Sequence, residues 1–170
     1  MISHRARRGH RVLDSNPLLA DSNQAPVLRR RKLSATPDTE LGMDLNRLSS
    51  QIIKAAITVH KDLGPGLLES VYVACMGIEL EGMGLKVESQ VPCPISYRGH
   101  QITEQGFRLD LLVEDVVIVE LNSVENVEPV HKKQLLTYLR LAGKPLGLLI
   151  NFNEPLLKDG ITLIINAPLA

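Results

Sequence analysis

Residues 107–122 decide the fold: Phe107-Arg108-Leu109-Asp110-Leu111-Leu112-Val113, then Glu114-Asp115, then Val116-Val117-Ile118-Val119-Glu120-Leu121-Asn122. Two apolar runs joined by two turn-forming residues read as strand, tight turn and strand. Both runs are apolar on both faces, the pattern of central strands covered on each side. Four polar positions interrupt the apolar elements: Asp110 in the first run, Glu120 and Asn122 in the second, and Gln134 on the helix that follows. Period-two alternation places Glu120 and Asn122 on the same face of their strand.

A carboxylate inside a central strand is expensive to desolvate unless it is paired or bound to metal. Two on neighbouring strands therefore point to a hard-cation site. Asp110 and Glu120 would supply oxygens to Mg2+ or Mn2+, which keeps several waters and bridges to a substrate phosphate. The bland alternative is that both acids lie at strand ends, reach solvent and pair with Arg108 or Lys132.

Working outward, Arg98-Gly99-His100-Gln101 reads as a hairpin-like turn between a strand over Lys86 to Tyr97 and strand sequence over Ile102 to Val113. Pro92 and Pro94 assign the first of these to an edge, or to a bulge. Further upstream, Leu48, Ile52, Ala55, Ala56, Val59 and Leu63 recur at the spacing of one helical face. That helix stops at Gly64-Pro65-Gly66, and a second is predicted from Leu67 to Glu81, ending at Gly82 and Gly84. Downstream, Val130 to Ala142 has a helical pattern closed by Gly143, Leu146 to Asn151 is a buried strand, and Ile161 to Ile165 fits a short one. The order α-α-β-β-β-α-β describes an α/β (α+β) fold, a mixed sheet flanked by helices.

The chain has 170 residues, the size of one core. Its zero net charge conceals an asymmetry: residues 1–40 carry eight Lys or Arg against four acids, and the rest carry eleven against fifteen. Residues 1–42 lack sustained periodicity and contain the clusters Arg5, Arg7, Arg8, Arg11 and Arg29, Arg30, Arg31, Lys32, so they are expected to be a disordered basic leader. A phosphate-binding arm, a transit-like presequence and translated sequence upstream of a natural start at Met43 all fit. The last is preferred, because organised periodicity begins just after Met43, and the folded domain is assigned to residues 43–170.

The longest apolar runs fall far short of the roughly 20 residues that span a bilayer, and no signal-peptide core follows the N-terminus, so the expectation is a soluble, cytoplasmic protein. Cys75 and Cys93 are isolated, without disulfide or zinc spacing. The absence of Trp and scarcity of Phe and Tyr argue against a surface that stacks many bases. Neither a GxxxxGK[ST] phosphate loop nor a GxSxG elbow is present.

Gly66-Leu67-Leu68-Glu69-Ser70-Val71-Tyr72 fits Gly-x-x-Glu-x-x-Tyr, and with Val59 to Gly66, Arg108 to Val113, Ile118 to Leu121, His131 to Leu139 and Gly147 to Phe152 it resembles the GxxExxY family. The resemblance spans about Leu45 to Asn166. That family is regarded as part of the PD-(D/E)XK nuclease-like superfamily, whose restriction-endonuclease-like core has the order α-β-β-β-α-β. The resemblance implies Asp110 and Glu120 as the metal-binding acids, Glu69 as the helix-borne acid completing their shell and Gln134 as a helix residue near the site; Tyr72, Arg108 and His131 are accessory candidates. It also implies a nucleic acid as partner and phosphodiester hydrolysis as the chemistry. Glu69 and Tyr72 share a helical face, and a first-turn position suits the negative charge of Glu69.

One departure stands out. The superfamily pattern calls for Glu-x-Lys, and here it reads Glu120-Leu121-Asn122. A neutral amide cannot replace the positive charge that steadies phosphoryl oxygens, a loss worth on the order of 100-fold or more in rate by analogy with oxyanion-hole deletions. Lys132 and Lys133 point away from the face of Gln134, whereas His131 and Tyr138 share it. His131 is read first as a solvated or helix-packing residue, with proton relay or phosphate contact as the sharper role. The expectation is a divalent-metal-dependent nuclease-like protein, impaired or inactive through Asn122. The alternative is a non-catalytic domain that binds nucleic acid or protein and retains the fold, which the acidity of residues 43–170 favours.

Overall fold

The computed structural model of the chain describes residues 38–167. Helix α1 spans Asp38–Leu63. Its buried stripe is Leu48, Ile52, Ala55, Ala56 and Val59, while Leu63, at the helix end, is 42% exposed. The helix starts ahead of Met43. The remainder of the expected basic leader, residues 1–37, lies outside the described residues.

Gly64 and Gly66 adopt φ of 71° and 93°, and this left-handed backbone turns the chain into α2, Glu69–Gly82. Tyr72 is fully buried. Its ring stacks on Phe152 at a centroid distance of 4.3 Å. Its hydroxyl donates to the Gly64 carbonyl at 2.7 Å and accepts the Leu67 N–H at 3.1 Å. One side chain thus ties the interhelical loop to the core and fixes where α2 begins.

The remaining elements are β1 (Val87–Tyr97), β2 (His100–Val113), β3 (Val117–Asn122), α3 (Pro129–Ala142), β4 (Leu146–Asn151), a 3-10 turn at Leu157–Gly160 and β5 (Ile161–Ile165). They form one five-stranded sheet in the order β1-β2-β3-β4-β5. All neighbours are antiparallel except β3 and β4, which run parallel and are joined through α3. The β1–β2 and β2–β3 hairpins turn on Arg98-Gly99 and Glu114-Asp115, all four residues at positive φ, as the primed turns matched to strand twist require.

Strand β1 is both an edge and bulged, as its two prolines indicated: Cys93 faces Phe107 and Gly106 together. Gly106 has φ of 52°, and a Cβ there would lie 2.0 Å from the Cys93 carbonyl oxygen, so only glycine fits.

Helices α1 and α2 cover one face of the sheet over Leu111, Val113, Val119 and Leu121. Helix α3 covers the other with Leu135, Tyr138 and Leu139 over Leu112, Ile118 and Leu149. Strict alternation would send Leu109 to the same side as Leu111, yet Leu109 packs in the α3 cluster. The strand therefore rolls over at Asp110. The β1 residue between the Ser89–Leu111 and Val91–Leu109 pairs is Gln90, with φ of 54°. The roll leaves Asp110 between the two faces of the sheet.

Candidate metal centre

One step beyond the Leu111–Val119 pair, the β2–β3 register sets Asp110 against Glu120. The two acids are held by backbone as much as by side chains. The Leu121 N–H donates to Asp110 Oδ2 at 2.9 Å, and the Asp110 N–H reaches Glu120 Oε1 at 3.4 Å. Gln90 Nε2 donates to Asp110 Oδ1 at 3.3 Å.

These bonds do not offset the cost of charge. Burial raises the Asp110 carboxyl above the usual carboxylate range, against the lowering effect of its two hydrogen bonds. Burial pushes Glu120 up to about 8, with the charges of Asp110 and Glu69 adding to it. Glu69, the first residue of α2, is raised by desolvation first and by Asp110 second. Desolvation and repulsion thus outweigh the helix-terminus stabilisation expected for Glu69.

The bland alternative, pairing of these acids with Arg108 or Lys132, is not what the structure shows. Among the described residues the ion pairs are Lys86–Glu88 and Lys144–Asp115, both away from these acids. Arg108 lines the same cavity as Asp110 and Glu120 without bonding to either, and Lys132 is not part of its wall.

That cavity, about 210 Å³, brings together Glu69, Arg108, Asp110, Glu120, Asn122, His131, Gln134 and Tyr138. Of the residues singled out from sequence, only Tyr72 lies elsewhere, its hydroxyl committed to the loop before α2. Ser123 Oγ donates to the Leu67 carbonyl at 2.8 Å, tying the end of β3 to the start of α2 and so placing Glu69 at the mouth.

His131 serves two ends at once. The Glu128 N–H donates to its Nδ1 at 3.0 Å at the start of α3. An accepting Nδ1 fixes the neutral tautomer with the proton on Nε2. Gln134 Nε2 donates to the Tyr138 hydroxyl one turn on. Asn122 Nδ2 is buried without a hydrogen-bond partner, although the Asn122 carbonyl accepts the Phe152 N–H at 2.8 Å.

Three contributors escaped sequence reasoning. Gln90 lies in a polar stretch with nothing to mark it. Tyr138 was seen to share the face of Gln134 but received no role. Asn151, fully buried, holds the loop after β3 through Val124, donating to its carbonyl at 2.9 Å and accepting its N–H at 3.1 Å. A polar residue closing the apolar run of β4 was its visible signal.

Among the described residues no three His, Cys, Asp or Glu side chains converge into a ready-made metal cage. Two carboxylates suffice for a cation that keeps most of its waters, as Mg2+ does. Asp110 and Glu120, both oxygen donors with no ion-pair partner among the described residues, fit that description, and Glu69 lines the same cavity.

No helix among the described residues is long and apolar enough to cross a membrane. The chain has no significant match among curated proteins or solved structures. The family model described as the PD-(D/E)XK nuclease superfamily matches residues 46–164, which include every residue of the cavity. The mixed sheet flanked by helices is the restriction-endonuclease-like arrangement, and the chain belongs to the PD-(D/E)XK nuclease superfamily.

Proposed function

We propose that the chain is a divalent-metal-dependent phosphodiesterase acting on nucleic acid, of the GxxExxY type, slowed by Asn122. The observation that carries this is the Asp110–Glu120 pair, two partly buried acids facing each other across β2 and β3 with no ion-pair partner among the described residues. An arrangement that costs stability when charged persists most readily where a ligand relieves it.

Asp110 and Glu120 hold Mg2+ or Mn2+. When bound, the ion lowers the pKa of its water and neutralises charge on the attacked phosphate. Glu69 at the mouth orders water on the open side. His131 presents Nε2–H as a donor to a phosphate oxygen. Gln134, anchored to Tyr138, directs its remaining amide atoms into the cavity. Asn122 offers a buried, unpartnered amide NH2 where the superfamily pattern has a Lys, so it orients an oxygen without supplying positive charge.

Cleavage of labelled DNA and RNA in Mg2+ or Mn2+, by wild type, Asp110→Ala and Asn122→Lys, tests the proposal. Wild-type cleavage abolished in Asp110→Ala supports it, and so does silence in wild type with cleavage gained in Asn122→Lys. Silence in all three rejects hydrolysis in favour of a binding domain that has kept the fold.

A further inference from the structure

Asp110 and Glu69 line a second cavity, about 490 Å³, on the far side of the acid pair between α2 and β1. The roll of β2 at Asp110 makes this possible, since it leaves Asp110, together with Glu69, lining both hollows. The second hollow differs chemically from the first. Its lining contains no Lys, Arg or His, and it carries Glu69, Glu81 and Asp110, so a phosphate entering it would be repelled. Val73 and Ile78 offer apolar surface, Ser70, Ser89 and Gln90 offer neutral hydrogen-bonding groups, and Gly77 leaves the floor open.

Resting on the phosphodiesterase reading, we propose that this groove receives one unpaired nucleobase of the substrate. Its phosphodiester then sits at Asp110–Glu120, and the substrate is single-stranded or locally unpaired nucleic acid. The volume falls in the range of small-molecule sites. A base is flat, uncharged and edged with donors and acceptors, which suits apolar walls ringed by Ser, Gln and carboxylate oxygens, as in pockets that take bases out of a stack. A base held in a duplex cannot present its pairing edge to such a groove. One base gripped by aliphatic walls agrees with the scarcity of aromatic residues, which rules out only extended stacking.

Gly77 gives a clean test. A Cβ at this position meets nothing within 4 Å, so a side chain can start here and extend into the groove that Gly77 lines. Replacing a mid-helix Gly also removes its helix-propensity penalty, so Gly77→Leu is expected to melt no lower than wild type. Ile78, 71% exposed, provides a second variant, Ile78→Glu, whose folding is not at risk.

Fluorescence anisotropy on the full chain in Ca2+ would compare a labelled DNA single strand, an RNA single strand and a blunt DNA duplex. Mn2+ affinity measured alongside reports the acid pair independently. Either single strand is expected to bind about 10-fold tighter than the duplex, the scale of one base contact, and the two strands together separate a DNA from an RNA substrate. Both variants should lose that preference while Mn2+ affinity holds. Equal affinity for strands and duplex, or a preference that survives both substitutions, overturns the base groove. Loss of Mn2+ binding by Asp110→Asn, or its absence from wild type, bears instead on the phosphodiesterase reading.

Discussion

Without metal, the acid pair should make the protein less stable as the pH rises through neutrality, opposite to the trend of ion-paired carboxylates. The folded ionisation of Glu120 lies near 8, against an ordinary 4.5, and Asp110 and Glu69 are displaced in the same direction. Between those values the folded state holds protons that the unfolded chain has released, so unfolding free energy falls with pH across the window. The contribution is fully present below about 4.5 and lost by the time pH passes 8. At about 1.4 kcal/mol per pH unit, the full displacement of Glu120 caps the effect near 5 kcal/mol. With water entering the cavity and screening the charge, about 2–3 kcal/mol is the expected loss. Urea unfolding of wild type and Glu120→Gln at pH 5 and 8.5, with a chelator throughout, reads this directly. Gln is close in size and cannot ionise, so the variant should lose most of the slope and be the more stable protein at pH 8.5. Identical slopes in the two proteins, or stability that climbs between pH 5 and 8, would refute the reasoning.

Asn122→Lys adds a cation to a cavity whose three acids have no ion-pair partner among the described residues, and we expect cleavage to rise by on the order of 100-fold, read in steady-state assays with Mg2+. Tyr72→Phe deletes the bonds to Gly64 and Leu67 while keeping the stack on Phe152, so it should cost about 1–2 kcal/mol in denaturant titrations. Gly106→Ala forces a Cβ into the Cys93 carbonyl at the bulge, and a loss of about 1–3 kcal/mol or failure to accumulate folded protein is expected by circular dichroism.

The elements were legible because local signals agreed with one another. The apolar stripe of α1, the glycines closing α1 and α3, the prolines of β1 and the turn at Glu114-Asp115 each pointed to one structure. The site was legible through Asp110, Glu120 and Asn122, polar residues whose presence in buried strands has a cost that packing alone does not explain. Gln90 was illegible because its importance comes from a backbone φ of 54° opposite Asp110, a property of the paired strands together. Tyr72 was placed near the site by helical spacing, but spacing along one helix says nothing about the loop and the Phe152 ring that claim the side chain. The double duty of His131 likewise required the start of α3 and the cavity wall to be seen in one place.

The central claim is that Asp110 and Glu120 form a divalent-cation site. Calorimetric titration of Mn2+ into wild type and Asp110→Asn at pH 8 tests it without relying on turnover. One ion bound per chain in wild type, with affinity lost in the variant, is the predicted result; equal binding by both proteins, or none by wild type, would contradict it.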